Sequence, residues 1–377
     1  MADNISARLN DTLDWERARG LAEHHNVMPR VYQTLQAFSL RVPSAVLDEL
    51  RTNYVLNTRK SLRFVAELFR VLDCLEAHSI PAIPLKGPAL AEAAYGDASA
   101  RCYSDLDVLV PPEHVWRAKA ALQTIGYVPG LQLSSTSESV YLDTGYEYSF
   151  DGPAGRNLLE IQWRILPRIY GIDINCGDLF DRSITATVSG RAVKALSAED
   201  LLLVLCVHAA KHAWMRLCWV CDIAAVLQAV SLDWNVVQQR ARDLGIVRMV
   251  GISLMLTHRL LGVSIPDVAS QLWRGDREPE RLCEEIQRGL PSAESHNPES
   301  LQYFWLMLRL RESWDDKCRF LLRFVFTPGI GEWQIVRLPR RLFWFYRVIR
   351  IFRLLGRIVA MPFKFRPNNA VENEVVR

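Results

Sequence analysis

Long apolar runs are missing from this chain of 377 residues. Nowhere do about 18 apolar residues follow one another, so a membrane-spanning helix is not expected. The opening MADNISARLN has neither the basic segment nor the apolar core of a secretion signal, which points to a cytoplasmic protein. A charge imbalance is missing too: a net charge of +3 is too small to imply a nucleic-acid partner. Clustered cysteines are absent. Eight are scattered along the chain, as reduced and mostly buried thiols would be. Cys218 and Cys221 form a C-x-x-C, but no second pair accompanies them and helical sequence surrounds them, so they read as helix packing. What is there is ordinary globular composition, half hydrophobic and 23% charged, in a chain long enough for two or three domains.

The hydrophobic period divides the chain. Residues 1–79 read as an N-terminal helical segment, interrupted near Pro29 and strongest over 59–78, where Leu62, Val65, Leu68, Leu72 and Leu75 form a stripe. His24 and His25, near a helix end, read as surface or capping residues. Residues 80–195 change period. IPAIPLKG reads as a strand ending in glycine, ALAEAAYG as a short helix and SDLDVLV as a second strand. PPEHVWRAKAALQTIGY reads as a helix with prolines at its start and Gly126 at its end. VYLDTGYEYSF (140–150) and NLLEIQWRI (157–165) both alternate around DGPAGR, the pattern of a β-hairpin. Residues 196–330 turn helical again, opened by a cap at Ser197. Residues 331–366 read as a basic amphipathic helix: Arg337 to Arg366 holds nine basic residues and no acid, interleaved with apolar ones. It either docks on the bundle or makes peripheral contact with an anionic membrane or partner. Residues 367–377 read as a disordered tail. The expected fold class is α+β, a mixed β-sheet module flanked by helices, with an N-terminal helical segment and a C-terminal helical domain.

Chemistry concentrates between Pro84 and Val110. Residues two apart on a strand share a face, so Asp105 and Asp107 project together while Leu106, Val108 and Val110 face the core. Two unpaired carboxylates at that spacing repel, and one would take a proton. A divalent cation removes the conflict, and hard oxygen ligands of this kind suit Mg²⁺ bound together with substrate phosphates. The strand–Lys86–Gly87–helix element just before them offers a helix N-terminus to a phosphate, with the Lys86 charge beside it. Arg101 precedes the carboxylate strand and is a further phosphate candidate. Glu160 shares the polar face of its strand with Gln162 and is the candidate third carboxylate of a two-metal site, with Glu147 as runner-up. Further on, His208, Lys211, His212 and Met215 fall at i, i+3, i+4 and i+7, a pattern that Trp219 and Asp222 continue. Lys211 is then a phosphate ligand and His208 or His212 a substrate contact. The structural alternative is a buried network joining Asp222 to a histidine or to Arg216. Zinc at His208 and His212 lacks a third ligand.

These residues resemble the core of the polymerase-β-like nucleotidyltransferase superfamily. More closely, they are similar to a bacterial nucleotidyltransferase family with an LKG…R…D-[IL]-D-[LV]-L-V signature, a later strand matched by LEIQW, and a helical motif matched by HAAKHAWMRLCWVCD (208–222). The resemblance spans roughly residues 10 to 250. It implies Asp105, Asp107 and Glu160 as metal carboxylates, and Lys86 and Gly87 as the phosphate-binding turn. Two departures stand out. Pro88 follows Gly87 where the superfamily usually has a residue with an N–H, and Gln162 replaces a frequent histidine. The expected activity is Mg²⁺-dependent transfer of an NMP from an NTP, such as ATP, to a small-molecule, peptide or protein acceptor, with pyrophosphate leaving. The alternative is a nucleotide-binding, catalytically weak partner-binding protein of the same fold.

Overall fold

The structure is a computed structural model that describes residues 9, 13–131, 135–153, 155–292, 300–329, 336, 338 and 340–360. Helices α1 (Trp15–His24) and α2 (Met28–Gln36) lead into α3 (Ser44–Ala77), a continuous helix longer than the segment its periodicity marks. Asp14 starts α1 by accepting the Arg17 N–H at 2.9 Å, and Pro29 sits in the first turn of α2, where its missing N–H costs nothing. The buried stripe of α3 is Phe64, Val65, Leu68, Val71 and Leu75. Leu62, expected in that stripe, is 64% exposed, one residue out of phase with it. His25 is the C-cap of α1, in line with the capping reading, but it is not a surface residue. It is buried, its carbonyl accepts the Cys218 N–H and its ring accepts the Leu217 N–H, so it pins the start of a helix almost two hundred residues later.

The sheet that follows has five described strands in the order β1-β2-β5-β4-β3, with β1 (Ile83–Pro84), β2 (Leu106–Leu109), β3 (Val128–Pro129), β4 (Glu147–Gly152) and β5 (Gly155–Gln162). Only β2 and β5 run parallel; the other pairs are antiparallel. Between the strands lie α4 (Gly87–Tyr95), α5 (Val115–Thr124) and α6 (Ser135–Thr144). This α+β module flanked by helices matches the fold class read from the sequence. The expected hairpin is only half correct: residues 140–144 are the end of α6, and the strand begins at Glu147. Gly145 makes the switch possible, because a Cβ there would sit 2.8 Å from the Tyr141 carbonyl oxygen.

Each face of the sheet has its own core. Leu106, Val108, Leu159, Ile161, Tyr148 and Phe150 pack toward α3 and α5. Ile83, Leu85 and Leu109, on the opposite face, join the apolar cluster of the helical region. Next come α7 (Cys176–Asp181), a two-stranded ribbon of β6 (Ile184–Val188) and β7 (Arg191–Ala195), and then α8 (Ala198–Lys211), α9 (Leu217–Ala229), α10 (Trp234–Leu244) and α11 (Val247–Leu261). Ser197 caps α8 by accepting the Asp200 N–H, as its sequence indicates. Cys218 and Cys221 are free thiols on α9, which fits their reading as helix packing. Helices α12 (Asp267–Ser270), α13 (Glu278–Gly289), α14 (Leu301–Arg309), α15 (Trp314–Phe326) and α16 (Phe345–Ala360) complete the described chain. The expected tail at 367–377 lies outside the described residues. Among those that are described, no helix is long and apolar enough to cross a membrane.

Candidate active site

Strands β2 and β5 put the carboxylates side by side. Asp107 pairs in register with Glu160, and Leu109 with Gln162; on the far side of β5, Ser149 faces Glu160 and Glu147 faces Gln162. Asp107, Glu160, Gln162 and Glu147 therefore share one face. Asp105 lies just before β2, beside the start of α4, where its carbonyl oxygen is 3.6 Å from the position a Cβ on Gly87 would take. Gly87 has φ +63°, a backbone conformation that glycine adopts freely. Pro88 falls in the first turn of α4, a position where an N–H is without a helical partner in any case.

Lys86 is the central cation. Its Nζ lies 3.2 Å from Asp107 Oδ2 and 3.5 Å from Nδ1 of His208. Gln162 bridges two of the carboxylates: Nε2 donates to Asp107 Oδ1 at 2.8 Å and to Glu160 Oε2 at 3.2 Å. The departure from histidine at position 162 thus places an amide donor between two carboxylates. The opposite wall is the end of α8. Lys211 Nζ donates to the Tyr146 hydroxyl at 3.1 Å and sits over that ring. His208 and His212 stand edge to face, and Trp219 stacks on His212 with centroids 4.8 Å apart. The cavity between these walls measures about 240 Å³, and its lining includes Lys86, Asp105, Asp107, Tyr146, Glu147, Glu160, Gln162, His208, Lys211 and His212. A larger cavity of about 780 Å³ lies beyond the carboxyl ends of β2 and β5, with Ile165 as a wall common to both.

Two expectations for this region need correction. Helix α8 ends at Lys211, His212 is its C-cap, and Ala213 and Trp214 have positive φ. Met215, Trp219 and Asp222 therefore do not continue one helical face; Trp219 returns to His212 because α9 folds back. Arg101 is not among the lining residues. Its Nε donates to both oxygens of the buried Asp222 at 2.9 Å, and the Tyr95 hydroxyl donates to the same carboxylate at 2.9 Å. The expected network around Asp222 exists, with Tyr95 and Arg101 as partners in place of a histidine or Arg216. Tyr146 had no signal in the sequence, since its role depends on a lysine 65 residues away.

Electrostatics follow from crowding. Burial is the main influence on the Asp105 carboxyl, with the neighbouring Asp107 adding to it, and both hold its pKa above the ordinary range. Burial, followed by Glu147 and Asp107, pushes Glu160 up to about 9. Burial lowers His208 well below its usual value, helped by Lys86, and lowers His212 to about 3. Both imidazoles are then neutral at pH 7. Four carboxyl groups thus face two lysines and two neutral histidines, and the protons that Glu160 and Asp105 hold tightly are ones a bound cation would displace. Among the described residues, no group of three or more His, Cys, Asp or Glu converges tightly enough to hold a metal by itself.

The raised Glu160 pKa has a sign that can be checked. A carboxyl that binds its proton more tightly when folded loses stability as pH rises from its unfolded value toward about 9. Below pH 6.5 the unprotonated His212 has the opposite slope, with stability falling as pH drops. Without divalent ions, the protein is expected to lose up to about 1.4 kcal/mol per pH unit between pH 6.5 and 9. Urea melts across that range should show the loss, and Glu160→Gln should flatten it. Equal slopes in the two proteins would contradict the assignment.

A family model described as "Uncharacterised nucleotidyltransferase" matches residues 11–262. The chain belongs to that family. The matched nucleotidyltransferase region contains the sheet, the carboxylate cavity and α8 to α11. No curated protein matches this nucleotidyltransferase. It is similar to two solved structures of the antibiotic-resistance factor ANT(2'')-Ia. One is a solution structure, at 14% identity and TM-score 0.31, covering 59% of this chain and 96% of that one. The other is a crystal structure in complex with adenylyl-2''-tobramycin, at 13% identity and TM-score 0.26, covering 59% and 97%.

Proposed function

We propose that this nucleotidyltransferase moves an NMP from an NTP to an acceptor hydroxyl or phosphate oxygen. The acceptor oxygen forms a bond to the α-phosphorus as the bond to the β-phosphate oxygen breaks and pyrophosphate leaves. The observation that carries this reading is the in-register pair Asp107–Glu160, facing Lys86 and Lys211 across a small cavity. Asp105 and Asp107 would hold Mg²⁺ on the triphosphate, with Glu160 as the further carboxylate on the acceptor side. The ion would supply charge neutralisation along the phosphates. Lys86 exchanges its Asp107 partner for a phosphate, and Lys211 approaches from α8 as a second cation. Neutral His208 and His212 can donate hydrogen bonds to substrate without adding charge. Catalysis on this reading is positioning and electrostatics.

The test is Mg²⁺-dependent release of pyrophosphate from labelled ATP in the presence of acceptor pools, with an Asp105→Ala/Asp107→Ala protein as control. Product that depends on both carboxylates supports transfer. A protein that binds ATP but forms no product with any pool supports the second reading, a nucleotide-binding partner protein. One observation favours that second reading: both Asp107 oxygens are already taken, one by Lys86 and one by Gln162. Gln162→His then decides between weak and absent chemistry, since it restores the residue frequent in the family. A rate increase supports a muted enzyme.

A further inference from the structure

Among its described side chains, helix α16 leaves part of its apolar side exposed. Helical geometry places Phe345, Val348, Ile351 and Phe352 together, and Phe345 and Phe352 are 42% and 68% exposed. Arg350, around the helix from them, is turned inward: its Nε donates to the Phe324 carbonyl of α15 and its guanidinium lies over the Phe324 ring. Tyr346 fixes the inner side, buried against the sheet module and bonded to the Val336 carbonyl. Just before the helix, Trp344 is 59% exposed. The neighbouring α15 adds exposed Leu322 and Phe326. Arg341 and Arg347 are exposed as well, and no acid occurs from Lys317 to Gly329 or from Arg340 to Ala360.

We propose that this face binds the surface of an anionic phospholipid bilayer, with α16 lying in the interface and Phe345 and Phe352 entering the acyl boundary. Aromatic and aliphatic side chains framed by arginines, on a helix of high amphipathicity, are the requirements for interfacial binding. Each exposed arginine near an anionic leaflet adds attraction, and tryptophan is favoured at headgroup depth. A second copy of the chain fits less well, because a two-fold contact would bring the same arginine-framed surface against itself.

Flotation of the full chain with vesicles of phosphatidylglycerol and phosphatidylcholine, against pure phosphatidylcholine, tests the proposal. Binding should appear only with the anionic lipid and fall with added salt. Phe345→Glu/Phe352→Glu, at exposed positions, should keep the circular dichroism spectrum and weaken binding at least about tenfold. Arg347→Glu should weaken it about fivefold. Equal binding to both vesicles, or none, overturns the proposal. So does a dimer, seen by sedimentation, that the double variant dissociates while vesicles bind neither protein.

Discussion

Asp105→Asn should abolish nucleotidyl transfer and leave the protein more stable than it was. The two effects share one cause. Asp105 is half-buried beside Asp107, and the desolvation that chiefly raises its pKa, with the repulsion by Asp107 added, is a cost to the folded state. An isosteric amide removes that cost, so a gain of about 0.5–2 kcal/mol is expected, as at other sites where stability is given up for activity. On the proposed mechanism, the same change removes a ligand for the ion on the triphosphate, worth several kcal/mol in the transition state, or a loss of about 10³-fold in kcat/KM. Asp107→Asn should lose as much activity but also lose stability, because Lys86 Nζ and Gln162 Nε2 both lean on that carboxylate. The measurements are pyrophosphate release and urea unfolding without divalent ions. Opposite stability signs with equal loss of activity are the signature. If Asp105→Asn keeps activity within tenfold, or lowers stability, the carboxylate site is wrongly assigned.

The strand carrying Asp107, with Asp105 just before it, was legible because its information is local. A period of two separates Leu106 and Val108 from Asp107, and both sides of that division occur in the structure. The helix cap at Ser197 was legible for the same reason. The partnership of Asp107 with Glu160 was only half legible. Composition and alternation pointed to Glu160, but the parallel register that puts it beside Asp107 is a pairing across 53 residues that no local pattern fixes. The misread helix at 140–144 shows the limit of periodicity. Val140 to Phe150 alternates well enough for a strand, yet Tyr141 sends its hydroxyl to the Glu147 carbonyl and packs on Trp163, a tertiary contact that holds the helix. Gln162 looked like a missing histidine. Only the geometry shows that its amide bridges two carboxylates.

Arg101 is the most instructive of these residues, and the largest stability effect is expected from its partner. Asp222→Ala should cost about 3–5 kcal/mol, the penalty for leaving a buried guanidinium without its carboxylate. Arg101 and Asp222 have only 9% and 1% of their side chains exposed. Replacing both, as Arg101→Met/Asp222→Leu, should recover most of the loss, because two apolar groups of similar volume need no pairing. The cycle, read by urea unfolding, separates two roles for Arg101. A structural tie predicts strong coupling between the two positions and an NTP KM near normal in the double variant. A phosphate ligand predicts that KM stays raised tenfold or more even when stability returns. The geometry argues for the tie. Tyr95 ends the helix that starts at the Lys86–Gly87 turn, Arg101 leads into the carboxylate strand, and Asp222 belongs to α9 of the helical region. One buried carboxylate therefore sets where all three elements stand. Arg101 thereby joins the segment leading into β2 to α9, the helix whose Trp219 folds back onto His212 at the end of α8.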